Sequence, residues 1–175
     1  QALPIKVTTK ITAASKTTRN VGGGTTATIA VPTGAAGTFA YNLVSVDYQT
    51  APTCTNVVAG AATVTVRPTP TATISGTTTV CQLAASPNVT FTNPMLLPVT
   101  ITYNINAGAN TTINVAAGST ATVAAPTGAS GVFAYNLVNV FYQAAPICSI
   151  AIAGAATITV TPTVGSPTVP ASAAT

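Results

Sequence analysis

The side chains that usually carry out enzyme chemistry are nearly absent from this sequence. It has no His and a single acidic residue, Asp47. General acid–base catalysis needs a group that titrates near the working pH, commonly in a pair, and Asp47 has no second carboxylate. A Ser or Thr nucleophile would have no side-chain base, and one carboxylate does not make a calcium site. We therefore predict no catalytic residue, no metal site and no cofactor.

Three cysteines, Cys54, Cys81 and Cys148, are the remaining reactive side chains. No CxxC or Cys/His spacing indicates a metal. The simplest pairing is one disulfide per repeat, Cys81–Cys148, which leaves Cys54 free or paired with a residue outside this chain. A Cys54–Cys81 bridge and three free thiols are the alternatives. A bridge would indicate an oxidising, extracellular compartment.

The elements that would position these residues form a tandem repeat. The sequence FAYNLV at residues 39–44 returns unchanged at residues 133–138, an offset of 133 − 39 = 94 residues. This period is the usual size of an immunoglobulin-type β-sandwich. We predict an incomplete repeat at 1–68, a complete repeat at 69–162, and a Pro/Ser/Thr-rich tail or linker at 163–175. Other matches at this offset are Ala51-Pro52 with Ala145-Pro146 and Cys54 with Cys148.

Apolar and polar residues alternate with a period of two in both copies, which is typical of half-buried β-strands. No segment has a helical period, so we predict an all-β fold of two tandem Ig-like antiparallel sandwiches. The aromatic-rich repeated stretch is predicted to be the central strand, with core residues Phe39, Tyr41 and Leu43, then Phe133, Tyr135 and Leu137. Predicted strands cover residues 1–11, 25–31, 39–48 and 61–66, then 71–75, 88–92, 99–105, 111–115, 119–125, 132–142 and 155–160.

The first copy starts late, because Gln1 aligns with Met95. It therefore lacks the counterparts of residues 69–94 and of the two strands predicted there. A sandwich without these strands exposes core residues and open edges. We expect either that the chain was cut from a longer array or that another chain supplies the missing strands.

Charged residues make up only 3% of the chain, against about 25% in ordinary globular proteins. All six lie in the first copy, and the net charge is +4. A neutral surface of Thr, Ser and Asn tolerates close association with copies of itself. There is no Arg-rich run with interleaved aromatics, so we expect no nucleic-acid partner. Apolar runs are too short for a transmembrane helix, so we expect no membrane insertion.

Two sequences, Asn88-Val89-Thr90 and Asn110-Thr111-Thr112, fit the N-glycosylation pattern. In a chain so rich in Thr and Asn this pattern also arises by chance. Glycan modification is thus an open possibility on these residues.

The phrases FAYNLV, AP-x-C, GAAT-(V/I)-TV and PTPTATISG resemble a known repeat type. It is the tandem Ig-like (PKD-like) repeat of large secreted surface and adhesin proteins of Bacteroidota. The resemblance covers residues 1–162. It implies an extracellular, cell-surface array of β-sandwiches without catalytic residues, serving adhesion, gliding or a surface fibre.

Two hypotheses of function follow. The first is a structural repeat segment of an extracellular fibre or adhesin, whose partners are neighbouring repeats or copies of itself. The second is a pilin-like subunit that polymerises by strand addition. Its donor would be the tail, with Val164, Pro167 and Val169, because residues 165–169 weakly resemble residues 85–89.

Overall fold

The computed structural model describes residues 2–12 and 14–165. Within them the protein is all-β, as predicted, with no helix and about 52% of residues in strands. Contacts divide the chain into two compact units, residues 1–68 and 69–175. The first unit contains β1 (Ile5–Ile11), β2 (Lys16–Val21), β3 (Gly37–Tyr48), β4 (Thr55–Val57) and β5 (Ala61–Val66). The second contains β6 (Thr73–Ser75), β7 (Thr78–Cys81), β8 (Asn88–Thr92), β9 (Val99–Ile105), β10 (Thr111–Val115), β11 (Thr120–Ala124), β12 (Gly131–Tyr142), β13 (Ser149–Ala151) and β14 (Ala155–Thr161).

The second unit is a two-layer sandwich. One sheet has the order β10-β9-β12-β14-β7, with β13 also pairing β12, and the other has the order β11-β8-β6. β12 is central, as expected from its sequence, since β9 pairs with one edge and β14 and β13 pair with the other. The core lies between the layers, where the rings of Phe91 from β8 and Tyr103 from β9 are 4.7 Å apart.

A β-bulge explains how the long strand β12 keeps its apolar side chains inward. Its pairing with β9 shifts register between Leu137 and Asn139. A bulge adds one residue and so changes which positions face the core. Tyr135 and Leu137 are buried before the bulge, and Val140 and Tyr142 are buried after it. The bulge thus accounts for the break in the period-two pattern at Val138.

The first unit repeats the large sheet of the second. Its strands have the order β2-β1-β3-β4, with β5 also pairing β3. The pair Ile5↔Val21 corresponds to Val99↔Val115, 94 residues later. The register shift of β3 against β1 also recurs, and both units have a cis X-Pro bond, at Ala51-Pro52 and Ala145-Pro146. The two copies of this sheet therefore fold alike.

The strand predicted at residues 25–31 is wrong, because these residues form no strand. Their counterpart β11 is held by pairing with β8, and the described residues of the first unit include no strand that corresponds to β8. Alternation alone does not make a strand when the partner is missing. Between residues 69 and 94 the structure has three strands rather than two. The additional one, β7, pairs parallel with β14, which departs from the purely antiparallel prediction.

Candidate functional site: the open groove of the first unit

The predicted core residues have different surroundings in the two units. Tyr135 is 0% exposed and Leu137 7% exposed, and Phe133 packs against the same core. In the first unit Phe39 is half-buried, as its counterpart Phe133 is, but Tyr41 is only half-buried where its counterpart Tyr135 is fully buried. Leu43, the counterpart of Leu137, is 41% exposed, so its core assignment is not met. The reason is that the strands described in the first unit form a single sheet, so none of them covers this face of β3.

The same contrast holds for the whole sheet. Tyr48 is 41% exposed while its counterpart Tyr142 is 1% exposed. All fifteen buried hydrophobic residues found among residues 2–12 and 14–165 belong to the second unit. The sequence of the first sheet is therefore that of a core-facing sheet, but its core face lies open.

An irregular segment, residues 25–31, forms one side of this face and leaves space beneath it. Three adjoining cavities of about 320, 400 and 340 Å³ follow the segment, and Ile29 lines all of them. We call this region the open groove, defined by Val7, Thr9, Ala27, Ile29, Tyr41 and Leu43.

The lining of the open groove is mainly apolar, and its polar groups are those of Thr9, Arg19, Thr25, Thr26 and Tyr41. The Tyr41 hydroxyl is buried without a hydrogen-bond partner among the described residues. The Thr9 hydroxyl, in a residue 7% exposed, is satisfied by Thr17 Oγ1 at 3.1 Å. Arg19 is the one charged side chain that lines these cavities, and it does so only in the cavity beside Val7 and Thr9. Such a groove favours an apolar occupant that is not strongly charged.

The structure does not form the predicted Cys81–Cys148 disulfide, and all three cysteines are free. Cys81 lies beside Thr161, next to the pair Gly131↔Val160 at the start of β12. Cys148 lies at the other end of β12, where its carbonyl accepts a hydrogen bond from the amide of Tyr142 at 3.2 Å. The 12 residues of β12 span roughly 36 Å, whereas a disulfide needs Cα atoms within about 7 Å.

Asp47 has two contacts within the first unit. Its Oδ2 is 3.9 Å from Lys6 Nζ, and Thr55 Oγ1 donates to its Oδ1 at 2.6 Å. It borders a cavity of about 210 Å³ together with Cys54. The described residues contain no cluster of three or more His, Cys, Asp or Glu that would suit a metal ion. These contacts join β1 to β3 and β3 to β4, so Asp47 acts as a link between strands.

One residue that the sequence analysis missed is Asn93, which is 0% exposed. Its Nδ2 donates to the carbonyls of Leu97, Val115 and Ala116 at 2.9, 3.3 and 2.9 Å, and its Oδ1 accepts from the amide of Met95 at 2.9 Å. It ties the end of β8 to β10. An Asn directly before a Pro at a strand end was the available signal.

The part of the chain that the structure describes contains no helix long and apolar enough to cross a membrane.

No family model matches the chain. No curated protein matches it either. Among solved structures, the chain is similar to a Ca²⁺-stabilised adhesin that helps an Antarctic bacterium reach out and bind ice. The two are 19% identical, with a TM-score of 0.44, and the similarity covers 95% of this chain. It covers 42% of the adhesin chain, so this chain spans less than half of that length.

Proposed function

We propose that this chain is a structural, non-catalytic segment of an extracellular surface fibre or adhesin, built from Ig-like repeats. The observation that carries the proposal is the open groove. It lies beside a sheet whose counterpart in the second unit is covered by a second sheet. Equivalent residues such as Leu43 and Leu137 differ in exposure, 41% against 7%, although their strands have the same registers. We infer that such a unit is completed by a further β-strand lying in its open groove.

The distribution of charge supports the same proposal. All six charged residues lie between Lys6 and Arg67, and none follows in the second unit. Close association of neutral Thr-rich surfaces meets no charge repulsion. A repeat that must lie against many identical repeats benefits from such a surface.

The test is electron microscopy of native material, with immunogold labelling by an antibody raised against residues 69–165. We expect gold particles on thin surface fibres of intact cells, at regular intervals along each fibre. A pre-immune serum is the control. Label confined to the interior of permeabilised cells would overturn the proposal.

A second candidate function is a pilin-like subunit that donates its tail to a neighbour. The favouring observation is that Val164 is 96% exposed at the start of the tail. The other two donor residues, Pro167 and Val169, lie outside the described residues. Deleting residues 163–175 should abolish assembly of the purified chain, whereas deleting the exposed loop residues 107–110 should not. Fibres formed without the tail would exclude this mechanism.

A further inference from the structure

We propose that the open groove binds one strand of the β8 type, with the sequence pattern Asn-Val-Thr-Phe-Thr-Asn of residues 88–93, which pairs antiparallel with residues 26–31. This inference rests on the proposed function, since it names what completes the first unit. It is an instance of β-strand addition, in which main-chain hydrogen bonds give affinity and alternate side chains give specificity.

The backbone of residues 26–31 is available for pairing. Its counterpart β11 pairs with β8 through all five of its residues, and the next amide, that of Ala125, donates to Pro87 O at 2.8 Å. Residues 26–31 make no backbone hydrogen bond to any other described residue. Unpaired N–H and C=O groups in an extended segment are a template for an incoming strand.

The second unit fixes the register of this pairing. There Val89 lies opposite Val123 and Phe91 lies opposite Ala121. Subtracting the 94-residue period places the incoming Val opposite Ile29 and the incoming Phe opposite Ala27. Side chains of a strand alternate between its two faces, so both would enter the open groove while the Thr between them faces solvent.

The groove has room for these side chains. In the second unit Val89 and Phe91 are both 0% exposed, and the Phe91 ring packs against Tyr103. The counterpart of Tyr103 is the smaller Thr9, so the incoming Phe finds a wider pocket. The cavity lined by Thr9, Ile29 and Tyr41 has a volume of about 400 Å³.

An Asn at the end of the incoming strand would add specificity. Asn93 donates to the carbonyls of Val115 and Ala116, whose counterparts are those of Val21 and Gly22. In both units the loop amide three residues later donates to the second of these carbonyls, Ser119 to Ala116 at 3.3 Å and Thr25 to Gly22 at 3.1 Å. In the first unit the Thr25 hydroxyl also donates to it, at 2.8 Å. An incoming Asn two residues after the Phe would therefore bond the Val21 carbonyl and take the place of the Thr25 hydroxyl at Gly22.

The test uses the full chain and a peptide of residues 85–94, ASPNVTFTNP, extended by two lysines for solubility. Isothermal titration calorimetry should show saturable binding, and amide hydrogen exchange of residues 26–31 should slow. A control peptide carries Val89→Asp and Phe91→Asp. It should bind about tenfold or more weakly than the parent peptide, because binding would bury two unpaired carboxylates in the groove. A third peptide with Asn93→Ala should bind several-fold more weakly than the parent.

Matched variants of the protein locate the binding site. Leu43→Asp places a carboxylate in the open groove and should abolish binding. Thr28 is exposed, and its counterpart Thr122 lies opposite Thr90, between the two positions whose side chains point inward. The Thr28→Asp variant should therefore bind the peptide normally. Since Leu43 is already 41% exposed, its variant should stay folded, which circular dichroism checks.

Equal binding of the parent and Asp-containing peptides, or no binding at all, would overturn the strand proposal. Surface fibres seen together with absent peptide binding would leave the proposed function standing and remove only its partner. Peptide binding in the absence of surface fibres would leave the partner strand standing and remove the proposed function.

Discussion

Leu43 and Leu137 occupy one position of the repeat in two environments, and this allows a matched experiment. Leu137 is 7% exposed and lies against the backbone of Gly154, whereas Leu43 is 41% exposed. Leu137→Ala should lower the free energy of unfolding by about 2–5 kcal/mol, because it leaves a cavity in a closed core. Leu43→Ala should cost less than about 1 kcal/mol. Urea denaturation of both variants measures the difference, and equal losses would contradict the described exposures.

Two buried tyrosines predict how the second unit responds to alkali. Burial raises the pKa of Tyr103 above its ordinary 10.0. Burial and, to a smaller extent, the charge of Tyr103 raise the pKa of Tyr135, whose ring centroid is 6.2 Å away. Above pH of about 10 the unfolded chain loses phenol protons that the native chain retains, so the free energy of unfolding should fall as pH rises.

The variant Tyr135→Phe tests this origin. The Tyr135 hydroxyl is buried without a hydrogen-bond partner among the described residues, so its removal should not destabilise the protein at pH 7. The decline of stability toward pH of about 11 should become shallower. Chemical denaturation at both pH values provides the measurement, and an unchanged decline would exclude Tyr135 as its source.

At the scale of elements, the end of β8 depends on the side chain of Asn93. Replacing Asn93 by Ala leaves three buried or half-buried carbonyls and the Met95 amide without this partner. We expect a loss of about 3 kcal/mol in the free energy of unfolding. Asn110→Ala, at an exposed loop position, should change it by no more than about 0.5 kcal/mol. Thermal denaturation of the pair checks the prediction, and similar melting temperatures would refute it.

The elements also show how far the sequence could predict the fold. Period-two alternation predicted the bounds of β9, β10 and β12 closely. Each of these strands has one buried face, and the alternation of apolar and polar residues reflects that burial. Residues 25–31 have the same alternation but no strand, since pairing depends on a partner far away in sequence. The cysteine pairing failed for a related reason: alignment of the repeats matches Cys54 with Cys148 but does not show that Cys81 and Cys148 lie at opposite ends of β12. The open groove was predicted only as missing strands, not as a cavity beneath a retained segment.

At the scale of the molecule, the uneven distribution of charge makes a prediction about acid. From residue 68 onward there is no Asp, Glu, His, Lys or Arg side chain. Acid denaturation occurs mainly because carboxylates that are paired in the native state become protonated. The second unit has no carboxylate side chain, so it lacks the usual cause of acid denaturation. We expect residues 69–175 to have the same urea midpoint at pH 2 and pH 7, followed by the near-ultraviolet signal of Tyr103 and Tyr135. A midpoint that falls at pH 2 would contradict this.

The same charge pattern bears on how the chain is degraded. Proteases of the trypsin type require Lys or Arg before the bond they cut, and such residues occur only at Lys6, Lys10, Lys16, Arg19 and Arg67. Arg67 is followed by Pro68, which hinders cleavage at that bond. Beyond Arg19, then, the polypeptide offers these enzymes almost no substrate even when it is unfolded. The resistance of this region to trypsin-type proteases therefore follows from its amino-acid sequence and does not depend on how well either unit is folded.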